Sequence, residues 1–98
     1  MIRPARVEDT DEILAMIYEL AVYEKAPDEA KATAELIHQS LFSDNPKVLC
    51  EIVEEEGKIA GFAIWFLNYS TWQGLHGIYL EDLLLELNIV SVDMARIY

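Results

Sequence analysis

The first quarter of the chain carries an amphipathic pattern that predicts a helix. From Val7 to about Glu24, apolar residues recur every three or four positions, which is the spacing of one buried helical face. These residues are Ile13, Met16, Ile17, Leu20 and Ala21. Acidic residues cluster at the N-terminal end, where their negative charges interact favourably with the positive end of the helix dipole. Arg6 stands where Ser or Thr would cap best, so we expect a weakly capped start.

A second, shorter helix is expected after a loop. The segment EKAPDEAKA breaks the helical pattern and is typical of a loop. Thr33 can cap a helix over Ala34–Phe42, whose buried side would hold Leu36, Ile37 and Leu41. The following SDNP ends this helix.

The period of the pattern then changes from helix to strand. Turn signals separate three largely apolar segments. They are Val48–Glu54, Lys58–Tyr69 and His76–Leu87. Their connections are short enough for an antiparallel meander. With a first strand at Ile2–Arg3, which Pro4 keeps brief or at an edge, the order is β-α-α-β-β-β. We therefore expect a mixed α/β chain in the broad sense, and more specifically an α+β fold in which the sheet is antiparallel.

The composition fits one small globular domain. The 98 residues are 53% hydrophobic, which excludes a disordered chain, and no apolar run approaches the roughly 18–20 residues of a membrane span. The N-terminus lacks the apolar segment of a signal peptide. The single cysteine, Cys50, lies in an apolar stretch, where a buried structural thiol is favoured over a nucleophile. These features favour a cytoplasmic protein with no membrane partner.

The net charge of −11 narrows the possible partners. Nucleic-acid binding requires clustered Lys and Arg, so no nucleic-acid partner is expected. An acidic protein can steer a cationic substrate over long distances, although ordinary solubility accounts for the same charge. His38 on a helix and His76 near a turn have no companions that would suggest a metal site.

The chain closely resembles the N-terminal half of GNAT-superfamily N-acetyltransferases, in particular the diamine (spermidine/spermine-type) branch. The resemblance rests on YEK, YSTW and GIYLEDL, in this order and at family-like spacing, and it covers Ile2 to about Glu86. It implies the N-terminal half of the GNAT fold. It also implies transfer of an acetyl group from acetyl-coenzyme A (acetyl-CoA) to a small amine such as a diamine or polyamine.

The resemblance implies roles for particular residues. Glu81 and Asp82 fall on the family's strand carboxylates, and Glu81 is the better candidate to contact the substrate amine or to order the water that deprotonates it. Strand alternation would place the two on opposite faces, so that only one enters a given cleft. For each, an ion pair with a nearby Lys or Arg is the alternative. The backbone groups of Leu83 and Leu85 fall where the family holds acetyl-pantetheine.

Further residues could recognise the acceptor amine. Tyr69, Trp72 and Tyr79 could form the wall of an acceptor site, although aromatic residues in a small domain also commonly belong to the core. Glu24 and Asp28, in the loop after the first helix, could attract a polyamine. A solvated loop charge is the alternative for both.

The resemblance ends after the last predicted strand. In the family, a turn of approximate sequence Arg-Gly-x-Gly-x-x-Leu follows, and its backbone N–H groups bind the coenzyme pyrophosphate. Here that place reads LNIVSVDMARIY, without glycine. We therefore divide the chain into a truncated GNAT-like domain, residues 1–87, and a divergent tail, residues 88–98. A base missing near the codon for Leu87 would restore a glycine-rich motif, so a frameshift is our hypothesis; a natural half-domain and a cloning artefact are the alternatives.

Two hypotheses follow for the chain as it stands. The first is an N-acetyltransferase by family that is inactive without the pyrophosphate motif. The second is a non-catalytic remnant that self-associates, because an uncovered edge at His76–Leu87 beside exposed Leu83, Leu84 and Leu85 would pair with another chain. Residues 90–94 of the tail alternate apolar and polar positions and could form a strand. We expect a homodimer or a higher homo-oligomer.

Overall fold

The computed structural model describes residues 1–85 and, for the backbone alone, residues 95–97. Five strands form one antiparallel sheet, in which the strands follow one another in chain order. They are Ile2–Pro4 (β1), Leu49–Glu55 (β2), Lys58–Ser70 (β3), Leu75–Leu85 (β4) and Ala95–Ile97 (β5). The two helices are Thr10–Tyr23 (α1) and Ala34–Phe42 (α2). The predicted α+β class and the element order through β4 are confirmed.

The start of α1 is capped from within. A 3-10 turn, Val7–Asp9, leads into the helix. The Asp9 carboxylate accepts the backbone N–H of Arg6 at 2.8 Å. An acidic side chain three residues ahead thus satisfies a backbone donor at the place where Arg6 offers no cap of its own.

The second helix has its predicted bounds but not all of its predicted buried face. Thr33 Oγ1 accepts the backbone N–H of Leu36 at 3.2 Å, which is the expected cap. Ile37 and Leu41 pack against the core, whereas Leu36 is 52% exposed. The predicted burial of Leu36 was wrong because it lies about 100° around the helix from Ile37, and Leu41 lies one turn beyond Ile37 on the same side.

The core lies between α1 and the adjoining face of the sheet. Ile52, Phe62 and Leu84 come from β2, β3 and β4, and they are fully buried together with Ile13 and Met16 of α1. Ile52 pairs with Phe62, and Phe62 pairs with Leu84. Because directly paired residues share a face of the sheet, these three side chains form one continuous row beneath the helix.

A buried ion-pair network attaches β1 to the rest of the domain. The Arg3 guanidinium donates to Asp9 at 2.8 and 3.2 Å and to Glu54 at 3.1 and 3.2 Å. The hydrogen bonds from Arg3 hold the pKa of the Asp9 carboxyl below its usual range. β1 is three residues long and lies at the edge of the sheet, as Pro4 predicted. The network therefore joins this edge strand, the start of α1 and β2.

The β3–β4 hairpin has an irregular register. Ile64 pairs with Asp82, whereas the next residue, Trp65, pairs with Leu80. Glu81 is therefore one extra residue in β4, which defines a β-bulge. On the inner side of the bulge, the two strands approach closely at Gly61, where an added Cβ would overlap the carbonyl oxygen of Leu84.

The expectation that β4 has an uncovered edge along its length was wrong, because the short strand β5 covers part of it. It pairs with Ile78–Leu80, so this part of β4 is not an unpaired edge. The predicted exposure of Leu83, Leu84 and Leu85 was also wrong, because Leu84 faces the helices and is fully buried, and its two neighbours are half-buried. The predicted end of this strand at residues 86–87 and the alternating residues 90–94 lie outside the described residues.

Candidate functional site

A cleft of about 310 Å³ opens between the C-terminal end of α1 and the bulged part of β4. Its described walls combine acidic and small or aliphatic side chains and contain no Lys or Arg. The acidic residues are Glu24, Glu29, Glu81 and Asp82, and the apolar residues are Ile17, Leu20, Ala21, Ala26 and Ala30. An acidic wall over an apolar floor suits a cation that carries an alkyl chain.

The end of α1 shapes one side of this cleft. Lys25 has a φ of +61°, and its N–H donates to the Val22 carbonyl at 3.0 Å. The N–H of Ala26 donates to the Ala21 carbonyl at 2.8 Å. These two bonds form a Schellman motif, in which a left-handed residue reverses the chain after the last helical turn. The reversal brings the 3-10 turn Pro27–Glu29 back towards the cleft.

The bulge shapes the opposite side. In a regular strand, consecutive side chains point to opposite faces, and we expected this of Glu81 and Asp82. Both residues nevertheless line the same cleft. The extra residue at Glu81 interrupts the alternation and re-aims the local side chains, as β-bulges do. The expectation that only one of them could reach a given cleft was therefore wrong.

The electrostatics of the cleft favour a bound cation. The carbonyl groups at the C-terminal end of α1 carry the negative end of the helix dipole, which adds to the field of the four carboxylates. Glu81 is exposed and forms no ion pair with a side chain that the structure describes. In the described part of the chain, no group of three or more His, Cys, Asp or Glu could hold a metal ion. The carboxylates around an apolar floor suit an organic cation.

The structure brings together some of the predicted acidic residues and not others. Glu24, Glu81 and Asp82 meet in the cleft, whereas Asp28 is exposed and does not line it. Glu29 lines the cleft instead, and the sequence analysis missed it. Asp28 and Glu29 lie in a 3-10 turn, which rotates successive side chains by about 120°, so the two cannot share a direction. The sequence carried no signal for which of them lines the cleft.

The three predicted aromatic residues lie outside the cleft. Tyr79 is half-buried and stacks on Phe66 with 4.8 Å between ring centroids. Tyr69 is 55% exposed and Trp72, at the turn of the hairpin, is 98% exposed. Neither of these two belongs to the core, and neither lines the acidic cleft.

The strand positions expected to hold acetyl-pantetheine lie next to the cleft. Leu83 pairs with Ala63 and Leu85 pairs with Gly61 on the β3 side. On the other side, the described residues of β5 pair with β4 over Ile78–Leu80.

The remaining candidate groups are structural or exposed. Cys50 is 7% exposed, and burial raises the pKa of its thiol to about 12. A thiol with so little thiolate is a poor nucleophile, so the prediction of a buried structural cysteine is confirmed. His38 is exposed on α2 and packs beside Phe42. No helix within the described residues has the length and apolar character needed to cross a bilayer.

No family model matches the chain, but several known proteins do. The bovine thialysine N-epsilon-acetyltransferase is 37% identical over 91 residues, and the match covers 85% of this chain and 53% of that protein. The pig protein of the same name is 38% identical with the same coverage. The human spermidine/spermine N(1)-acetyltransferase-like protein 1 is 39% identical over 88 residues, or 83% of this chain and 12% of that protein.

The resemblance to diamine-type GNAT acetyltransferases is confirmed. The chain spans about half the length of the thialysine acetyltransferases that it matches. The two helices and the antiparallel sheet agree with the N-terminal part of the GNAT fold. The acidic cleft therefore lies in a chain whose relatives are named for acetyl transfer to nitrogen.

Proposed function

We propose that this chain provides the amine-binding half of an N-acetyltransferase that uses acetyl-CoA and a small diamine or polyamine. The observation that carries the proposal is the cleft in which Glu24, Glu29, Glu81 and Asp82 surround an apolar floor. A protonated diamine has the matching character, since its cationic ends suit the carboxylates and its methylene groups suit the floor. The net charge of −11 attracts such a substrate from a distance.

In this proposal, Glu81 acts on the substrate nitrogen. An ammonium group has no free electron pair, so it must lose a proton before its nitrogen can attack the thioester carbonyl of acetyl-CoA. The carboxylate of Glu81 accepts that proton, directly or through a water molecule. The C–N bond then forms, the C–S bond breaks, and the departing coenzyme thiolate takes up the second proton that the nitrogen loses. Asp82 fixes the position of the ammonium group, and the β4 backbone at Leu83 and Leu85 holds acetyl-pantetheine.

We further propose that the 98-residue chain by itself has no measurable turnover. The sequence contains no glycine after Gly77, and a pyrophosphate-binding turn needs glycines so that its backbone N–H groups can approach the phosphates. Each such charge-assisted hydrogen bond contributes about 1.5–3 kcal/mol. Without them, β4 alone is expected to bind acetyl-CoA no better than millimolar. Micromolar binding in a calorimetric titration would contradict this part of the proposal.

Amine binding by the cleft is tested by an NMR titration with spermidine and thialysine at low salt. We expect shifts centred on α1 residues 17–24 and on the bulge, with a dissociation constant in the range of about 1 mM. The Glu81→Gln and Asp82→Asn variants should each weaken binding by roughly fivefold, because each removes about 1 kcal/mol of charge interaction.

The matched control for this titration is Glu12→Gln, which changes the net charge equally at an exposed position at the opposite end of α1. It should change the affinity by less than about twofold. Equal weakening by all three variants would show non-specific attraction and would contradict a binding site in the cleft. Turnover with spermidine by the chain alone, abolished in Glu81→Gln, would contradict the proposed inactivity and support the assigned role of Glu81.

A second property is favoured by the exposed apolar part of the hairpin. We infer that the 98-residue chain forms a homodimer or higher oligomer, since Trp72, Tyr69 and Leu67 are all more than half exposed. Apolar clusters of this kind on a protein surface commonly mark contacts with another protein. Light scattering that shows a monomer at tens of micromolar would contradict the inference.

A further inference from the structure

A second cavity, of about 480 Å³, lies against α1 beside the acidic cleft. One of its walls is the stretch of α1 from Asp11 to Tyr18. The other is the segment that leads to α2, which contributes the half-buried Ala30 and Ala32. We call this cavity the α1 groove. The role proposed above for the acidic cleft does not use it.

The α1 groove lies on a face of α1 that the core does not need. The residues that α1 buries against the sheet are Ile13, Met16 and Leu20. With about 100° of rotation per residue, Leu14, Ala15 and Tyr18 lie on the other side of the helix. A surface helix needs a single apolar stripe to pack against its domain, so this second stripe is available to a ligand.

The α1 groove and the acidic cleft adjoin each other. Ile17 and Ala30 line both cavities, and both residues are apolar and half-buried. A molecule that extends from the cleft into the groove therefore crosses a hydrocarbon surface. Methylene groups suit such a surface, because they have no hydrogen bonds with water to lose.

The far end of the groove carries a carboxylate. Among the described residues that line it, Asp11 is the charged one, and its exposed side chain makes no hydrogen bond or ion pair with a described residue. The positive end of the α1 dipole amounts to about half a charge, which is less than the charges of Asp11 and Glu12 in the same turn. Tyr18 is 54% exposed and adds an aromatic ring, whose face attracts cations. This end of the groove suits an ammonium group.

The spacing of the two cavities sets the length of a molecule that fills both. Asp11 lines the groove, and Ala21 lines the cleft. Ala21 follows Asp11 by ten residues, which corresponds to about 15 Å along the helix axis. An extended tetramine such as spermine has this reach, whereas thialysine and putrescine are too short.

Local hydrogen bonds hold the outer wall of the groove in place before a ligand binds. The N–H groups of Glu29 and Ala30 donate to the carbonyls of Ala26 and Pro27 at 3.1 and 3.2 Å. The Schellman motif fixes one end of this segment, and the cap at Thr33 fixes the other. A wall that is already ordered loses little entropy on binding, which favours affinity.

We propose that the α1 groove is a second subsite, which binds the far ammonium group of a long polyamine and makes the chain selective for the length of the amine. The proposal rests on the proposed function, since it places the reacting nitrogen of the same molecule at Glu81. The methylene chain passes over Ile17 and Ala30, and the far ammonium group lies between the carboxylate of Asp11 and the ring of Tyr18. Amines that end within the cleft do not use the groove.

The first test compares spermine with putrescine in NMR titrations of the full 98-residue chain. Asp11→Asn should weaken spermine binding by about fivefold, because it removes one contacting charge, and should leave putrescine binding within about twofold of the wild type. In the wild type, spermine should shift the backbone amide signals of Ala15 and Tyr18, and putrescine should not.

The matched control is Glu12→Gln. Glu12 is the next residue on α1, is also exposed and does not line the groove. The substitution changes the net charge as Asp11→Asn does. In about 0.1 M salt, where the Debye length is about 10 Å, it should change the affinity for either amine by less than about twofold.

The second test fills the groove without changing a charge. Ala32 lines the groove and not the cleft. Ala32→Leu should weaken spermine binding by about threefold, because the larger side chain occupies space that the methylene chain needs. Putrescine binding by the same variant serves as the control and should stay unchanged, which also shows that the variant remains folded.

The outcomes separate the subsite from the proposed function. Equal weakening of spermine binding by Asp11→Asn and Glu12→Gln would show general charge attraction and overturn the subsite. Shifts at Ala15 and Tyr18 that putrescine causes as strongly as spermine would overturn it as well. In both cases, weaker binding of the two amines by Glu81→Gln leaves the proposed function standing. A chain that binds neither amine overturns the proposed function and the subsite together.

Discussion

The inner and outer halves of the β3–β4 hairpin are both rich in apolar residues and have opposite environments. On β3, Phe62 is fully buried, whereas Leu67, five positions later, is 58% exposed. The inner half lies beneath α1, and no described helix covers the outer half. The comparison shows that an apolar run can specify a strand without specifying burial. Burial is decided by which side of the sheet the helices cover, and Phe62 and Leu67 lie on opposite sides.

The largest expected effect comes from shortening one buried and one exposed side chain of β3, on the two sides of the bulge. Phe62→Ala should lower the free energy of unfolding by about 3–5 kcal/mol, because it opens a cavity in the core. Leu67→Ala should change it by less than about 0.5 kcal/mol, because the side chain is mostly in water. Urea unfolding at a concentration below that of any self-association measures both. Similar losses would show that the outer half is also part of the core.

Cysteine labelling tests the inner half without changing it. The pKa of the Cys50 thiol is raised by burial to about 12, whereas an unperturbed thiol has a pKa of about 8.5. Alkylation at pH 8 should therefore be slower in the native chain than in urea by roughly a thousandfold. Comparable rates would mean that the β2 side of the core opens readily.

Two glycine variants separate crowding from backbone strain. Gly61→Ala should cost about 1–3 kcal/mol, because the new methyl group meets the Leu84 carbonyl and forces β3 and β4 apart. Gly57→Ala meets no atom within 4 Å but sits at a φ of +78°, so it should cost about 1 kcal/mol from strain alone. Thermal unfolding compares the two. A Gly61→Ala variant as stable as the wild type would argue against the close approach of the strands.

Low pH should remove stability that depends on Asp9 and should leave the contribution of the outer hairpin unchanged. The pKa of Asp9 is lower in the folded chain than its ordinary value of 3.8, chiefly through its hydrogen bonds with Arg3. The stability contributed by this carboxylate is therefore fully present above about pH 4 and is lost as the pH falls through the folded-state pKa. Unfolding measured between pH 5 and 2 (approximate limits of this titration) should show a steeper loss for the wild type than for Asp9→Asn.

The outer hairpin supplies the contrast in the acid experiment, because Ile59–Leu80 contains no carboxylate. The effect of Leu67→Ala on stability should then be the same at neutral pH and in acid. If acid changed the contribution of Leu67 as much as that of Asp9, the two regions would not be energetically distinct.

The sequence predicted the helices and strands well, and it predicted which of their side chains are buried less well. Thr33 marked the start of α2 because a cap is a local interaction, readable from a few neighbouring residues. The burial of Leu36 could not be read in this way, since it depends on the angle at which a short helix meets α1. The exposure of Trp72 likewise depends on which part of the hairpin the helices cover and not on the turn that carries it.

The candidate site, too, was only partly predictable from the sequence. Glu81 and Asp82 came from a family resemblance, and their meeting with Glu24 in one cleft was not derivable from strand alternation. The bulge that allows it lies between Ile64 and Trp65 on the partner strand, and no glycine or proline marks the place. A bulge is a property of the pairing between two strands, so a local pattern in one strand contains little sign of it.

The bulge makes the identity of residue 81 largely independent of the pairing that forms the hairpin. Since Glu81 has no partner on β3, the pairs Ile64↔Asp82 and Trp65↔Leu80 would both remain possible if it were absent. Glu81 is thus an addition to a hairpin that is already complete, and it displaces no paired side chain. The carboxylate at this position can change in size, charge or identity while the architecture stays as it is. Selection on what the cleft binds can therefore act here with little interference from selection on stability.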